Sequence, residues 1–194
     1  MKKIREVITV REHKQLNAFV SADEKMRDAT KENLHKTFLL LYLSGCRVTE
    51  ILGIRNKNIL EIIEHGETII NIEKQHKERK LIFTDAGIKA IKKLFTNYNI
   101  YNEDAEAFVI RSKGTKHISP DKSTFTKQIN TVIHACLGSR FSSHSYRSGV
   151  ITQLAIEAKV SIALIRDYIG HKNSATTLSY VKSDTTSIRS ALVR

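Results

Sequence analysis

The chain has 194 residues, of which 41% are apolar and 27% charged, an ordinary composition for a globular protein. Its charge is unusual, because 32 lysines and arginines against 20 aspartates and glutamates give a net charge of +12, which favours a polyanionic partner. The N-terminus lacks the apolar stretch of a secretion signal, and the longest unbroken apolar run, residues 38–43, is far shorter than the ~20 residues of a membrane span. We therefore expect a soluble intracellular protein with a single domain over residues 1–194 and no membrane partner.

The first part of the chain predicts helices. Thr9 and Glu12 have the spacing of a capping box, which predicts a helix over "VREHKQLNAFVS". Thr30 is expected to cap a longer helix, whose final residues are apolar on all sides and therefore predict a buried core helix. Gly45 is expected to end that helix, and a short helix, "TEILGI", follows.

The periodicity then changes. The runs "TIINIEK" and "RKLIFT" are rich in β-branched and aromatic residues and predict a hairpin over about 68–83. A helix is expected to begin at Thr84 or Asp85, and "AFVI" is a candidate third strand. Further helical segments are predicted over residues 123–137, 143–158, 161–169, 176–181 and 184–192. The expected fold is α+β, mainly α-helical, with a small antiparallel sheet.

Two of the predicted helix starts carry arginines. Arg47 follows the buried helix, and Glu50 lies one turn later, where it can hold the guanidinium for a phosphate. His144 and Arg147 are three residues apart at another helix start, where they share a face and where the helix N-terminus favours an anion. A purely structural Arg–Glu pair and a capped surface helix are the alternatives.

Five basic residues crowd the predicted hairpin tip, which is therefore a candidate contact with the DNA backbone. They are Lys74, His76, Lys77, Arg79 and Lys80. A solvated turn is the alternative.

Near the C-terminus, His171 follows a helix-ending glycine, and Tyr180 comes soon after it. Taken alone, Tyr180 fits a half-buried packing residue. The chain contains no phosphate-binding glycine loop, no hydrolase nucleophile elbow and no HExxH zinc motif. Its two cysteines, Cys46 and Cys136, lack ligand spacing, so we expect no metal and no cofactor.

Taken together, these residues suit chemistry on a phosphodiester. Two arginines, a lysine of the hairpin tip and two histidines supply hydrogen-bond donors for a phosphate whose charge grows in the transition state. A tyrosine oxygen is a nucleophile that forms covalent intermediates. A phosphotyrosyl link conserves the energy of the cleaved bond, so the strand can be rejoined without ATP, which suits strand exchange better than digestion.

At this point four motifs resemble the catalytic domain of the tyrosine recombinase (phage integrase) family. "LYLSGCRVTEILGI" resembles the first arginine box, and "INIEKQHKERKLIF" the β-hairpin with its lysine. "FSSHSYRSGVITQLA" resembles the HxxR box, and "LIRDYIGHKNSATTLSYV" the final box with the nucleophile. The catalytic set assigned by this resemblance is Arg47, Lys74, His144, Arg147, His171 and Tyr180, with Glu50 in support.

The resemblance also implies roles. Tyr180 attacks the scissile phosphate and leaves a 3′-phosphotyrosyl enzyme and a free 5′-hydroxyl. Lys74 protonates the leaving oxygen, with Lys77 as the alternative. The two arginines and His171 bind the non-bridging oxygens, and His144 helps to transfer the tyrosine proton.

For the whole protein, the resemblance implies a site-specific recombinase or integrase, of the kind found in mobile elements. It would act on double-stranded DNA as a homo-oligomer, a tetramer in the synapse, and be a monomer when free. The family's N-terminal core-binding domain is expected to be absent from this chain. Ser148 stands where many relatives have a histidine, which removes no catalytic group. A type IB-like topoisomerase and a non-catalytic DNA-binding accessory protein are the alternatives.

Overall fold

The structure is a computed structural model that describes residues 6–72, 77–112, 115–171 and 173–178, with the backbone alone at Lys77. The chain divides into two compact units, Met1–Val150 and Ile151–Arg194. In the first unit the helices are α1 (Val10–Ala22), α2 (Asp28–Ser44), α3 (Val48–Ile51), α4 (Asn56–His65), α5 (Asp85–Asn97) and α6 (Lys122–Leu137). Helix α7 (Ser143–Thr152) begins in this unit, and the second unit contains α8 (Ile162–Ile169) and α9 (Ser174–Leu178). The mainly helical prediction is confirmed.

Local capping explains where most of these helices begin. The capping box of Thr9 and Glu12 is present at α1, and the Thr84 hydroxyl accepts a hydrogen bond from the Gly87 amide at the start of α5. The prediction that Thr30 caps α2 is wrong. Arg27 is the extended residue before this helix, and its carbonyl accepts from the amide of Thr30 at 2.9 Å, so the helix begins two residues before Thr30.

The predicted hairpin is confirmed. Strand β1 (Glu67–Ile72) pairs antiparallel with β2 (Lys77–Ile82), and Ile70 lies opposite Arg79. Among the described residues these two strands form one sheet. The candidate third strand is instead a single isolated bridge between Phe108 and Arg55.

Helix α2 supplies the centre of the core in the first unit, as its apolar sequence predicts. Leu34, Phe38 and Leu41 are fully buried on this helix. Helix α1 packs against α2 and α6, and α4 packs against β1. The end of α2 is therefore rigidly supported where the chain turns into α3.

The later helices differ from the prediction in two respects. Helix α7 gives way at Gln153 to a π-helical turn that ends at Glu157, so the helix expected over residues 143–158 changes its hydrogen bonding part-way. Helix α8 has Ser161 as its cap and ends at Gly170, as expected. The segment expected over 176–181 begins earlier, as α9, and its residues 179–181 lie outside the described residues, as does the helix expected over 184–192. Within the described residues, no helix combines the length and apolar character needed to cross a membrane.

Candidate active site

The turn from α2 to α3 places Arg47 against Glu50. Gly45 ends α2 in the left-handed conformation, with φ of 61°, which glycine adopts without strain. Arg47 then precedes the first turn of α3. Its amide donates to Glu50 Oε2 at 2.9 Å, and its Nη1 donates to Glu50 Oε1 at 2.6 Å. One carboxylate therefore holds both the backbone and the guanidinium of Arg47.

Helix α7 brings Arg147 to the same carboxylate. Arg147 Nη1 lies 3.8 Å from Glu50 Oε2 and donates to the Gly45 carbonyl at 3.0 Å. The neighbouring Tyr146 is buried and stacks against Phe38 of α2, with ring centroids 6.1 Å apart. Packing on α2 thus fixes the part of α7 that carries Arg147.

A third arginine, Arg79 of β2, also contacts Glu50. Arg79 Nη1 lies 3.1 Å from Glu50 Oε2, and its Nη2 donates to the Ser44 carbonyl at 3.0 Å. Only 3% of its side chain is exposed. The prediction of Arg79 as a DNA contact at the hairpin tip does not fit this position, since Arg79 lies within β2 and points into the protein.

The charges of this cluster act on one another. Burial alone would raise the pKa of Glu50, but the hydrogen bond from the Arg47 amide and the charges of Arg79, Arg147 and Arg47 outweigh it and lower that pKa. Burial, and after it the charge of Arg47, lowers the pKa of Arg147 to about 10. Both groups are therefore charged at neutral pH, and three arginines around one carboxylate leave an excess of positive charge.

The other predicted residues of the first unit are placed as follows. His144 is exposed on the first turn of α7, whereas Arg147, one turn later, is buried. The Ser148 hydroxyl donates to the His144 carbonyl at 3.0 Å. Lys80 is half exposed and pairs with Glu67 at 2.7 Å. Lys74 and His76 lie outside the described residues, as does the side chain of Lys77.

In the second unit His171 follows Gly170, which ends α8 with φ of 72°. His171 Nδ1 lies 2.9 Å from the hydroxyl of Thr177 on α9, and the His171 amide donates to the Arg166 carbonyl at 2.9 Å. Thr177 is fully buried, so it fixes the ring through one nitrogen. Tyr180 lies outside the described residues.

The family model of the phage integrase family matches residues 6–187. The chain belongs to this family. The tyrosine recombinase XerC of Caldanaerobacter subterraneus is 28% identical to it over 190 residues, which are 95% of this chain and 49% of that protein. The fold is that of tyrosine recombinase catalytic domains, as the solved structures below show.

Two solved structures illustrate the likeness. XerH recombinase bound to its palindromic difH substrate, in a post-cleavage complex, gives a TM-score of 0.71 at 18% identity and covers 98% of this chain and 52% of that one. A lambda integrase tetramer bound to a Holliday junction gives 0.63 at 14% identity and covers 94% of this chain and 49% of that one. The chain spans about half the length, or less, of the first curated relatives it matches.

Two contacts in this integrase-family chain escape sequence reasoning. The basic composition of the segment predicts that Arg79 lies at the exposed tip. Side chains two residues apart on a strand share a face, however, and Leu81 and Phe83 are buried, which indicates that Arg79 points inward. The contact of Thr177 with His171 depends on the fold of α9, and no local pattern predicts it. In the described part of the chain, no three His, Cys, Asp or Glu side chains gather in a way that could hold a metal ion.

Proposed function

We propose that the chain is the catalytic part of a site-specific tyrosine recombinase, which breaks and rejoins DNA strands through a covalent 3′-phosphotyrosyl intermediate. The observation that supports this most is the pairing of Arg47 and Arg147 on the buried carboxylate of Glu50. The two arginines are about 100 residues apart in the chain, and the fold brings both to one carboxylate.

The excess charge argues against a purely structural ion pair. A buried ion pair is often no more stabilising than an apolar pair of the same volume, and a second and third arginine add repulsion. A phosphate diester between Arg47 and Arg147 would offset that repulsion. Arg47 has 34% of its side chain exposed and bonds Glu50 through Nη1. Its other guanidinium N–H groups can therefore receive the non-bridging oxygens of a phosphate that arrives from solvent.

The proposed reaction is the one that the family resemblance implies, and the pairing of Arg47 and Arg147 on Glu50 supports it. The Tyr180 oxygen attacks phosphorus and gives its proton to His144, and the bond from phosphorus to the 5′-oxygen breaks. The electron pair goes to the 5′-oxygen, which takes a proton from Lys74. Arg47, Arg147 and His171 stabilise the charge on the non-bridging oxygens. Attack by a 5′-hydroxyl on the phosphotyrosyl bond reverses these steps and rejoins a strand.

The proposed partner is double-stranded DNA, and the proposed active assembly is a homotetramer formed on it from free monomers, inside the cell where DNA is. The net charge of +12 and the exposed Lys80 support DNA as the partner. By analogy of fold, the structure of XerH on difH supports DNA as the partner, and that of tetrameric lambda integrase on a Holliday junction supports the assembly.

The test is capture of the covalent intermediate. A pool of nicked duplexes with randomised sequence beside the nick is incubated with the chain, and adducts that survive detergent are sequenced. The selected sequence is then rebuilt as a nicked suicide substrate, on which loss of the short downstream strand prevents rejoining. We expect a covalent protein–DNA band with the wild type and none with Tyr180→Phe, which removes the nucleophilic oxygen alone.

Three outcomes would contradict the proposal. Absence of any adduct with the wild type would favour a DNA-binding accessory protein. A band that persists in Tyr180→Phe would place the nucleophile elsewhere. Relaxation of any supercoiled plasmid by the monomer, with no preferred sequence, would favour a topoisomerase.

A further inference from the structure

The end of α2 is held by two buried arginines that reach it from different elements. Arg79 on β2 donates to the Ser44 carbonyl, and Arg147 on α7 donates to the Gly45 carbonyl, each at 3.0 Å. Both then reach the same carboxylate oxygen, Glu50 Oε2, at 3.1 Å and 3.8 Å respectively. The two side chains therefore form parallel links between the end of α2 and the first turn of α3.

Of these two links, Arg79 makes the shorter contact with Glu50. Its two terminal nitrogens are engaged by Glu50 and by the Ser44 carbonyl, so we assign it to the support of the site and not to the phosphate. Its neighbours on the inner face of the hairpin, Ile70 and Leu81, are apolar and buried. An apolar residue at position 79 would leave the Ser44 carbonyl and Glu50 Oε2 without the hydrogen bonds that Arg79 donates to them. We therefore explain the Arg79 guanidinium by the two groups that it holds, the Glu50 carboxylate and the Ser44 carbonyl.

The geometry shows what would move without it. Glu50 Oε1 holds the Arg47 guanidinium, while Oε2 accepts from the Arg47 amide and from Arg79. Without the 3.1 Å bond from Arg79, Oε2 keeps the hydrogen bond from the Arg47 amide, and we infer that the carboxylate turns about it towards Arg147 and takes Oε1 with it. The orientation of the Arg47 guanidinium therefore depends on a residue that has no contact with substrate.

We propose that Arg79 is a positioning residue, which fixes the Glu50 carboxylate and the end of α2 so that Arg47 and Arg147 present their donors to one phosphate. This inference rests on the proposed function for its catalytic consequence. The positional part of it concerns the orientation of Arg47 and can be measured without any reaction.

The first experiment is positional. Nitrogen-15 relaxation of the guanidinium Nε groups is measured in the wild type, in Arg79→Lys and in Arg111→Lys. Arg111 is a matched control, because it also links a carboxylate, Glu103, to a backbone carbonyl, that of Phe108. We expect the Arg47 signal to show a rigid group in the wild type and in Arg111→Lys, and a mobile one in Arg79→Lys. An unchanged Arg47 signal in a folded Arg79→Lys protein would overturn the inference.

The second experiment is kinetic and uses two suicide substrates, one with an ordinary scissile phosphate and one with a neutral methylphosphonate there. We expect Arg79→Lys to slow cleavage of the ordinary phosphate by about 100-fold, since a misplacement of ~1 Å in a catalytic group has a cost of this size. The defect should shrink on the methylphosphonate, whose reaction needs less positive charge. Arg111→Lys should cleave both substrates like the wild type.

A merely structural role for Arg79 would lower cleavage of both substrates equally, which would overturn the inference. Arg47→Ala serves as the reference for a direct loss of phosphate contact. If the wild type forms no adduct on any substrate, the proposed function fails, and the relaxation measurement alone decides whether Arg79 positions Arg47. The two failures are therefore distinguishable.

Discussion

Glu50 has only 4% of its side chain exposed and contacts three guanidinium groups, an arrangement in which each charge depends on the others. Taking a carboxylate out of water is unfavourable unless hydrogen bonds and opposite charges replace the water. The Arg47 amide and the arginines supply both. Removing the carboxylate would leave Arg79 and Arg147 buried without a counter-charge.

We therefore expect Glu50→Gln to lower the free energy of unfolding by about 3 kcal/mol, the usual size of the loss when one member of a buried ion pair is removed. Glutamine keeps the shape and can still accept a hydrogen bond, so the loss reports the charge. Urea denaturation measures it. Glu106→Gln is the control, because Glu106 is more than half exposed and pairs with Lys57 at the surface, where such pairs contribute ~1 kcal/mol or less. Equal losses in the two variants would contradict the account of Glu50.

Among the secondary-structure elements, helices α1 and α2 pack together at the side chain of His13. The His13 ring stacks on Tyr42 with centroids 4.4 Å apart and meets the edge of Tyr146. Burial, with a smaller effect from His35, lowers the pKa of His13 from 6.5 to about 4. The neutral ring is thus the form that packs between these helices.

This shift predicts a pH dependence of stability. Because the pKa of His13 is lower in the folded protein, its contribution is complete above about pH 6.5 and is lost as the pH falls towards about 4. The free energy of unfolding should fall by about 2 kcal/mol more in the wild type than in His13→Phe between roughly pH 7.5 and roughly pH 5, at ~1.4 kcal/mol per pKa unit. Phenylalanine keeps the stacked ring and removes the titration. Urea unfolding at several pH values measures both proteins, and superimposable profiles would contradict the assignment.

Elements whose boundaries depend on local chemistry were predictable from the sequence. The box at Thr9 and the glycine ends at Gly45 and Gly170 are all present, because each acts within one helical turn. The start of α2 was not predictable, since the side chain of Arg27 makes no capping hydrogen bond there. Threonine is a common capping residue, so the sequence favours Thr30 as the cap, although Thr30 lies inside the helix. In the candidate site, the pairing of Arg47 with Glu50 was predictable because it is also local.

Contacts between distant elements were not predictable in the same way. Arg147 and Arg79 both lie on the Glu50 carboxylate, and only packing of α7 and of the hairpin against α2 brings them there. A basic residue in a basic segment is assigned to the surface by composition. Burial of Arg79 contradicts that assignment and requires the strand register to be known.

For the whole molecule, the net charge of +12 predicts that DNA affinity depends strongly on salt. A protein that neutralises several phosphates releases their counterions, so affinity for a random duplex should fall by about 1,000-fold or more between roughly 50 and 200 mM salt. Fluorescence anisotropy across a salt series measures this. Lys80→Gln should reduce the slope by about one, because it removes one proposed phosphate contact. An affinity that does not change with salt would contradict DNA-backbone binding.

The central claim is that the arginines on Glu50 hold a phosphate for attack by Tyr180, and mapping the covalent bond tests it most directly. The suicide-substrate adduct is digested with nuclease and trypsin, and the modified peptide is sequenced by mass spectrometry. The account predicts a nucleotide joined through its 3′-phosphate to Tyr180, in the tryptic peptide of residues 173–182. A 5′ linkage, or a nucleotide on any other residue, would contradict it.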